Sequence, residues 1–396
     1  MKQGCEIKKL GEVVTFQRGL TYSKDDEVDF SSNCVLRSNN IELESMSILL
    51  DELKYIREDF IVGEDKKVKK DTILICMSNG SKQHLGKVAF IDNDYNYAFG
   101  GFMGLIKPNS GLSPKYLYYS CLSSPYKHFL AGIGNGANIN NIKFSDLSQF
   151  SLPVPPLSEQ ERIVAELDCL SSIIEKKKQQ LKEYDTLAQS IFYEMFGDPI
   201  TNEKGLPIQQ LGDFATSVTY GTSSPANEGG KFTYLRMNNL TYDGYLDLND
   251  VKTIDVPDRD LDKYVVRKGD ILFNRTNSKD LVGKTALFDL DNEMVIAGYI
   301  IRVRVDEEKM RPVYVVRYMN TPFMKSYYYN LCKGAVNQAN INSKELKAMP
   351  LLVPPLSLQQ EFAKKIEAIE KQKELIKQSL VETETLFNSR MDYYFN

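Results

Sequence analysis

The chain has 396 residues, 26% charged and 42% hydrophobic, which is the composition of a globular protein with room for two or more cores and excludes a disordered chain. A net charge of −4 argues against a small stand-alone nucleic-acid binder but leaves a local basic face open. No apolar run approaches the roughly 18 residues of a membrane span, and Met1-Lys2-Gln3-Gly4-Cys5-Glu6 has no signal-peptide core. The expectation is a cytoplasmic protein that meets no membrane. Six scattered cysteines without CxxC spacing read as reduced structural thiols, with no metal site.

In chain order, the first half opens with Ile7-Lys8-Lys9-Leu10-Gly11-Glu12-Val13. A short strand-like run, Val35-Leu36-Arg37-Ser38-Asn39-Asn40-Ile41, then breaks into an Asn-rich turn. Next come Lys69-Lys70-Asp71-Thr72-Ile73-Leu74, a loop with Ser81-Lys82 and Gly86-Lys87, and β-rich runs over 88–91 and 102–106. A helix is expected with Pro125 at its first position behind Ser124. A Gly/Asn loop over 132–141, with Ala137-Asn138-Ile139-Asn140, leads to Leu152-Pro153-Val154-Pro155-Pro156-Leu157-Ser158-Glu159-Gln160.

About 200 residues later the same order returns. Ile208-Gln209-Gln210-Leu211-Gly212-Asp213-Phe214, Tyr234-Leu235-Arg236-Met237-Asn238-Asn239-Leu240 and Arg267-Lys268-Gly269-Asp270-Ile271-Leu272 lead to Ser278-Lys279 and Gly283-Lys284. Runs over 285–288 and 295–305, Thr321-Pro322, Ala339-Asn340-Ile341-Asn342 and Leu351-Leu352-Val353-Pro354-Pro355-Leu356-Ser357-Leu358-Gln359 complete the copy. A repeat this long means duplicated domains.

In each copy the prolines force an extended lead-in, and the serine is expected to open a capping box, Ser158 with Glu161 and Ser357 with Gln360. The first helix carries Ile163, Leu167, Leu170, Ile174, Leu181, Tyr184, Ala188, Ile191 and Met195 on 4,3 spacing, interrupted by Lys177. The second carries Phe362, Ile366, Ile369, Ile376, Leu380 and Phe387, interrupted by Lys373, Thr383 and Arg390. Two separate amphipathic helices would also give such stripes, but about 35 residues exceeds the usual globular helix, so each seam is expected to cover the other. Phe196-Gly197-Asp198-Pro199 should stop the first helix through a left-handed glycine cap. The expected fold class is α+β: mixed α/β domains over 1–151 and 200–350, each followed by a proline motif and long helix over 152–199 and 351–396, the helices pairing as an antiparallel coiled coil.

This order, with Pro-Pro-Leu-Ser-x-Gln ahead of a heptad helix twice, resembles the DNA-specificity subunit of type I restriction-modification enzymes over essentially the whole chain. The resemblance implies a non-catalytic subunit whose two target-recognition domains each read one half of a split, asymmetric site in double-stranded DNA, while the paired helices hold them apart. It also implies two docked adenine methyltransferase subunits, which carry S-adenosylmethionine, and a motor-nuclease restriction subunit that can join. This chain departs in ending Asp392-Tyr393-Tyr394-Phe395-Asn396 and in its more polar second seam. A coiled-coil scaffold with duplicated peptide-binding or protein-binding domains is the alternative.

The residues themselves offer no catalytic set. The Pro-Pro pairs follow Val and precede Leu, unlike the Asp/Asn-Pro-Pro-aromatic loop of amino-methyltransferases, and no Gly-x-x-x-x-Gly-Lys-Ser/Thr phosphate loop exists. His84 and His128 are the two histidines; His128 is expected to be structural. If the halves read different sequences, shared side chains cannot make the difference. Arg37 and Arg236, Asn39 and Asn238, Asn40 and Asn239, Ser81 and Ser278, Lys82 and Lys279, and Lys87 and Lys284 are therefore candidates for turn structure or phosphate anchoring. Asn79, Gln83 and His84 in one half, and Asn274, Arg275 and Asn277 in the other, are candidates for base contacts, because Asn or Gln can bridge adenine and Arg can grip guanine.

A helix from 158 to 195 spans roughly 55 Å at about 1.5 Å per residue. One heptad inserted into each helix keeps the seam and adds roughly 10 Å, about three base pairs of duplex. Methylation mapping of cells carrying that variant should show the same half-sites with a longer spacer, or no methylation; full methylation at the original spacer would show that the helices do not set the distance.

Overall fold

The computed structural model describes residues 5–43, 45–133, 141–332 and 338–396. The Ala137-Asn138-Ile139-Asn140 echo lies outside them. The chain divides into two compact units, Met1–Lys178 with Gln378–Asn396, and Gln179–Lys377.

In the first unit, β1 (Glu6–Lys9) is followed by α1 (Leu10–Val13), β2 (Val14–Arg18), β3 (Glu27–Val28), β4 (Asn33–Leu36), β5 (Lys54–Ile56), β6 (Thr72–Cys76), β7 (Val88–Ile91), β8 (Ala98–Phe99) and β9 (Met103–Pro108). Helices α2 (Pro114–Ser120), α3 (Ser124–Ile133) and α4 (Phe144–Leu147), strand β10 (Ser151–Val154) and the long α5 (Leu157–Phe196) complete that half. Strand order β2-β9-β6-β7 makes an antiparallel sheet, β3-β5-β4-β8 a mixed one in which β4 and β8 run parallel, and β1 pairs with β10. Thr-Ile-Leu-Ile-Cys of β6 is buried along its length because the sheet is covered on both faces.

The second unit repeats the plan with β11 (Ile208–Gln210), β12 (Ala215–Tyr220), β13 (Phe232–Leu235), β14 (Lys252–Ile254), α6 (Asp258–Tyr264), β15 (Val265–Val266), β16 (Ile271–Asn274), β17 (Thr276–Asn277), β18 (Thr285–Leu287), β19 (Met294–Ile296) and β20 (Ile300–Val305). Helices α7 (Pro312–Met319) and α8 (Pro322–Leu331), strand β21 (Ala339–Asn340), α9 (Ser343–Lys347), β22 (Pro350–Leu352) and α10 (Leu356–Phe395) follow. Its sheets run β12-β20-β16-β18 and β14-β13-β19-β15. Thr321 caps α8 with Pro322 at its first position, as expected. In the first unit α3 begins one residue early, at Ser124, so the Ser123 hydroxyl takes the cap role, accepting from Tyr126 N at 3.4 Å, and Pro125 falls second.

The long helices pair antiparallel in each unit. In the first, Glu166 of α5 meets Arg390 of α10, while Lys177 donates to the Ser379 carbonyl (2.8 Å), the Ser379 hydroxyl (2.7 Å) and the Thr383 hydroxyl (2.7 Å). In the second, Lys373 is 3% exposed and donates to Asp185 (2.6 Å) and the Tyr245 hydroxyl (2.8 Å). Each polar interruption of the seam thus has a polar partner, and Lys177 and Thr383 meet each other. Burial follows the predicted stripe through Ile163, Leu167, Ile174 and Ala188, then moves one position, to Phe192 and Phe196, with Ile191 and Met195 half-buried. There α5 also faces α7: the Phe196 ring sits 4.7 Å from that of Tyr314 and 5.1 Å from that of Phe362. Met391 and Phe395 fill the corresponding place in the first unit's core. Gly197, at φ +76°, ends α5 with its N–H on the Tyr193 carbonyl.

The expected serine capping box is not what starts these helices. They begin at Leu157 and Leu356, their first turns close on the Pro156 and Pro355 carbonyls, and the serines lie inside the turn. Gln160, fully buried, accepts from Ser113 N (2.7 Å) and donates to the Gly111 (3.0 Å) and Pro155 (2.8 Å) carbonyls. Gln359 likewise accepts from Arg311 N (2.8 Å) and donates to the Pro354 carbonyl (2.9 Å). The glutamine of the motif therefore clamps helix, proline lead-in and globule together. The six cysteines are free thiols: Cys34, Cys76, Cys121 and Cys332 are buried, Cys5 is half-buried and Cys169 is exposed on α5.

Truncating the clamp strands buried backbone groups, so Gln359→Ala should cost roughly 2 to 4 kcal/mol in chemical denaturation. Ser357→Ala, inside the exposed first turn, should change stability by less than about 0.5 kcal/mol.

Candidate nucleic-acid interface

In each unit, loops from both sheets meet at one junction. In the first unit, Met77 and Ser78, just past β6, donate from their backbones to the Phe102 carbonyl at 2.9 and 3.1 Å. Leu20 N bonds the Phe99 carbonyl (2.7 Å), Gly19 N the Met103 carbonyl (3.2 Å), Gly100 N the Leu36 carbonyl (2.9 Å) and Ile142 N the Met77 carbonyl (2.7 Å). The second unit repeats the scheme: Arg275 N to Tyr299 (2.9 Å), Thr222 N to Ile296 (2.9 Å), Gly221 N to Ile300 (3.1 Å), Ala297 N to Leu235 (2.9 Å) and Ile341 N to Arg275 (2.8 Å). A Cβ on Gly19 would lie 2.0 Å from the Gly100 carbonyl oxygen, and one on Gly221 would lie 2.2 Å from that of Ile296. The close approach of the loops demands glycine at both places.

The turns that follow β4 and β13 are held from inside. Asn40 accepts from Arg37 N (2.8 Å) and donates to the Leu49 carbonyl (3.0 Å); Asn239 accepts from Arg236 N (2.8 Å) and donates to the Asp247 and Asp250 carbonyls (both 2.9 Å). These two asparagines, 1% and 2% exposed, are turn structure. Asn39 and Asn238 stand exposed beside them. Arg37 and Arg236 each keep a buried Nε with no partner among the described residues, and Arg236 also binds the Asp250 carboxylate at 2.9 Å.

In the first unit, Asn79 ties the two loops, donating to the Ser38 hydroxyl (3.0 Å) and accepting from Ser81 N (2.9 Å). Ser81 and Gln83 are exposed, and His84 is half-buried with Nδ1 unpartnered among the described residues. The side chain of Lys82 lies outside the described ones. Lys87 corrects the anchoring expectation: only 5% exposed, it donates to the Ile41 carbonyl, and burial pushes its pKa down. Its counterpart Lys284 is half-buried and similarly depressed by desolvation. His128 corrects a further expectation, being exposed on α3 rather than packed.

Asn274 is the second correction among the candidate contacts. It is fully buried at the end of β16, donating to the Thr276 and Tyr299 carbonyls (3.2 Å each) and accepting from Asn277 (3.0 Å). That leaves it no free group for a base. Arg275 is half-buried, its guanidinium 4.9 Å from the centre of the Tyr220 ring. Ser278 is exposed and Lys279 half-buried.

Four residues at the junction were missed by the sequence reasoning. Arg18, exposed at the end of β2, and Tyr220, at the same place on β12, precede the required glycines; Phe102 and Tyr299 are 72% and 50% exposed at equivalent turns. Aligning the two copies on Gly19 and Gly221 would have found the first pair. Among the described residues no three or more His, Cys, Asp or Glu side chains could hold a metal ion, and no helix is long and apolar enough to cross a membrane.

On duplex DNA the three neighbours should separate. Asn274→Ala should cost roughly 1 to 3 kcal/mol of stability, read by thermal melting, without changing base preference. Arg275→Ala should lose about 1 to 3 kcal/mol against one base, whereas Lys279→Ala should weaken binding to every sequence and lower the salt slope by about one, both read by titration on cognate and scrambled duplexes.

Comparison with known proteins agrees with this geometry. The type I restriction modification DNA specificity domain matches twice, over residues 2–183 and 204–385. The EcoKI specificity subunit of Escherichia coli (strain K12) is 26% identical over 391 residues, covering 93% of this chain and 82% of the relative. The StySPI specificity subunit of Salmonella potsdam is 26% identical over 385 residues, with the same coverage. The S subunit of a type I restriction-modification system from M. genitalium has the same fold, with a TM-score of 0.59 at 14% identity over 99% of this chain and 96% of that one. A chain from a type I R-M system, solved in work on its complex assembly and conformational transition, superposes with a TM-score of 0.57 at 18% identity, covering 99% of this chain and 97% of that one. With both halves matched and the fold shared, the chain belongs to the type I restriction-modification DNA-specificity family.

Proposed function

We propose that this chain reads a bipartite, asymmetric site in double-stranded DNA, one half-site per globular domain (1–151 and 200–350), and carries no catalysis of its own. It docks two adenine methyltransferase subunits, which bind S-adenosylmethionine and perform the transfer; restriction subunits can join, and the complex works in the cytoplasm.

The observation that carries this reading is one junction built twice with different side chains. Its backbone bonds are equivalent in the two units, yet Arg18 stands where the second has Tyr220, and Ser38 where it has Met237. A common scaffold with exchanged surface groups is what two readers of different sequences need. Arg37, Asn39, Ser81, Lys82, Asn238, Ser278 and Lys279, shared in kind, serve to grip phosphates, with Arg236 and Lys284 less free to do so. Gln83, His84, Asn79, Arg275 and Asn277 serve to read base edges: an amide can pair with adenine N6 and N7, and the guanidinium over Tyr220 is pre-oriented for guanine O6 and N7.

The test is an exchange. Replacing residues 7–151 by the corresponding stretch of another family member should, in methylation sequencing of cells that also hold the methyltransferase subunit, change one half-site only. The purified chain with S-adenosylmethionine but no partner should transfer no methyl group. If both half-sites change together, or the lone chain methylates, the reading fails.

A further inference from the structure

Phe102 and Tyr299 are large rings left in solvent at matching places in the two units. Each follows a glycine at the turn between β8 and β9 or between β19 and β20. A single exposed aromatic is unremarkable on a protein surface. Two at the same position of a duplicated junction, both on fixed backbone, call for a cause.

The backbone is held from two directions. The Phe102 carbonyl accepts from Met77 and Ser78 N, and the Tyr299 carbonyl from Arg275 N and the Asn274 side chain. On the other side, the carbonyl oxygen of Leu20 lies 3.3 Å from where a Cβ on Gly101 would stand, and Gly298 N bonds the Thr222 carbonyl at 2.7 Å. The rings are thus presented beside the loops that carry Asn79 and Ser81 in one unit, and Arg275 and Asn277 in the other. Those polar groups suit phosphates and base edges. Phe102 cannot accept or donate a hydrogen bond, so what it can offer DNA is an apolar face.

We propose that Phe102 and Tyr299 are apolar wedges, one per half-site, each ring packing against a base at a step that the bound duplex opens. This rests on the DNA-reading function above and adds a contact of another kind. Hydrogen bonds from the neighbouring loops select the base edge, whereas the ring selects for a step that unstacks at low cost, as pyrimidine–purine steps do. Each unit then reads both edge chemistry and deformability.

The test uses this chain in complex with its methyltransferase subunits, on the duplex it methylates, with 2-aminopurine placed in turn at each half-site position other than the methylated adenine. One position in each half-site should change fluorescence on binding. Phe102→Ala should abolish the change in one half-site and leave the other, and Tyr299→Ala the reverse. Each should weaken binding roughly tenfold to a hundredfold, with the salt slope unchanged because no charge is removed. Melting temperatures should hold, since the rings are exposed, and Phe102→Tyr and Tyr299→Phe should keep the signal. Alanine variants that bind with unchanged affinity and signal would overturn the proposal. So would alanine variants that lose capture of the methyltransferase subunits without DNA, since the rings would then be protein contacts. A wild-type complex that selects no sequence would instead overturn the DNA-reading function itself.

Discussion

Two helices of 40 residues, each with one apolar stripe, cannot stand alone in water, and the rest of the structure follows from how that stripe is covered. In each unit it is covered twice, by the other long helix and by the globule. The first unit's core takes Ile163 and Leu167 from α5 and Met391, Tyr394 and Phe395 from α10; the second takes Ala188, Phe192 and Phe196 from α5 and Phe362, Ile366 and Ile369 from α10. Neither globule completes its core without the end of the helix that belongs to the other half of the sequence.

The polar breaks in the seam make that pairing selective. Lys373 is nearly sealed from water, and its ammonium needs Asp185 at the position antiparallel register supplies and the Tyr245 hydroxyl that the globule adds. Arg390 meets Glu166, whose carboxyl is held below its usual range chiefly by that hydrogen bond and next by the one from Tyr394. A slip by a turn would leave a buried charge unpaired, a penalty of several kcal/mol, while two apolar seams sliding past each other would lose far less. The charges specify which pairing forms more than they add to its strength.

The junction obeys the same logic on a smaller scale. Loops packed backbone to backbone must satisfy every N–H and carbonyl among themselves, so the hydrogen-bond scheme and the glycines at 19 and 221 are fixed in both units. The side chains that project from it are not fixed by folding, which is why Arg18 and Tyr220, or Ser38 and Met237, can exchange without disturbing the scaffold.

The sequence by itself determined the duplication, the two proline motifs, both long helices with their seams and stop, the α+β class and the family resemblance. All of these are local periodicities or repeated words, and periodicity reports which residues share a face of one element. The tertiary structure alone decided what far-apart residues do to a polar group. Lys87 and Asn274 looked like surface contacts in a polar loop, yet partners more than twenty residues away bury them; Gln160 and Gln359 looked incidental beside a serine cap, yet they hold the carbonyls of a distant turn. The stripe moved to Phe192 and Phe196 because α7, over a hundred residues on, widens the buried face. Burial is a sum over the whole chain, and no window of sequence contains it.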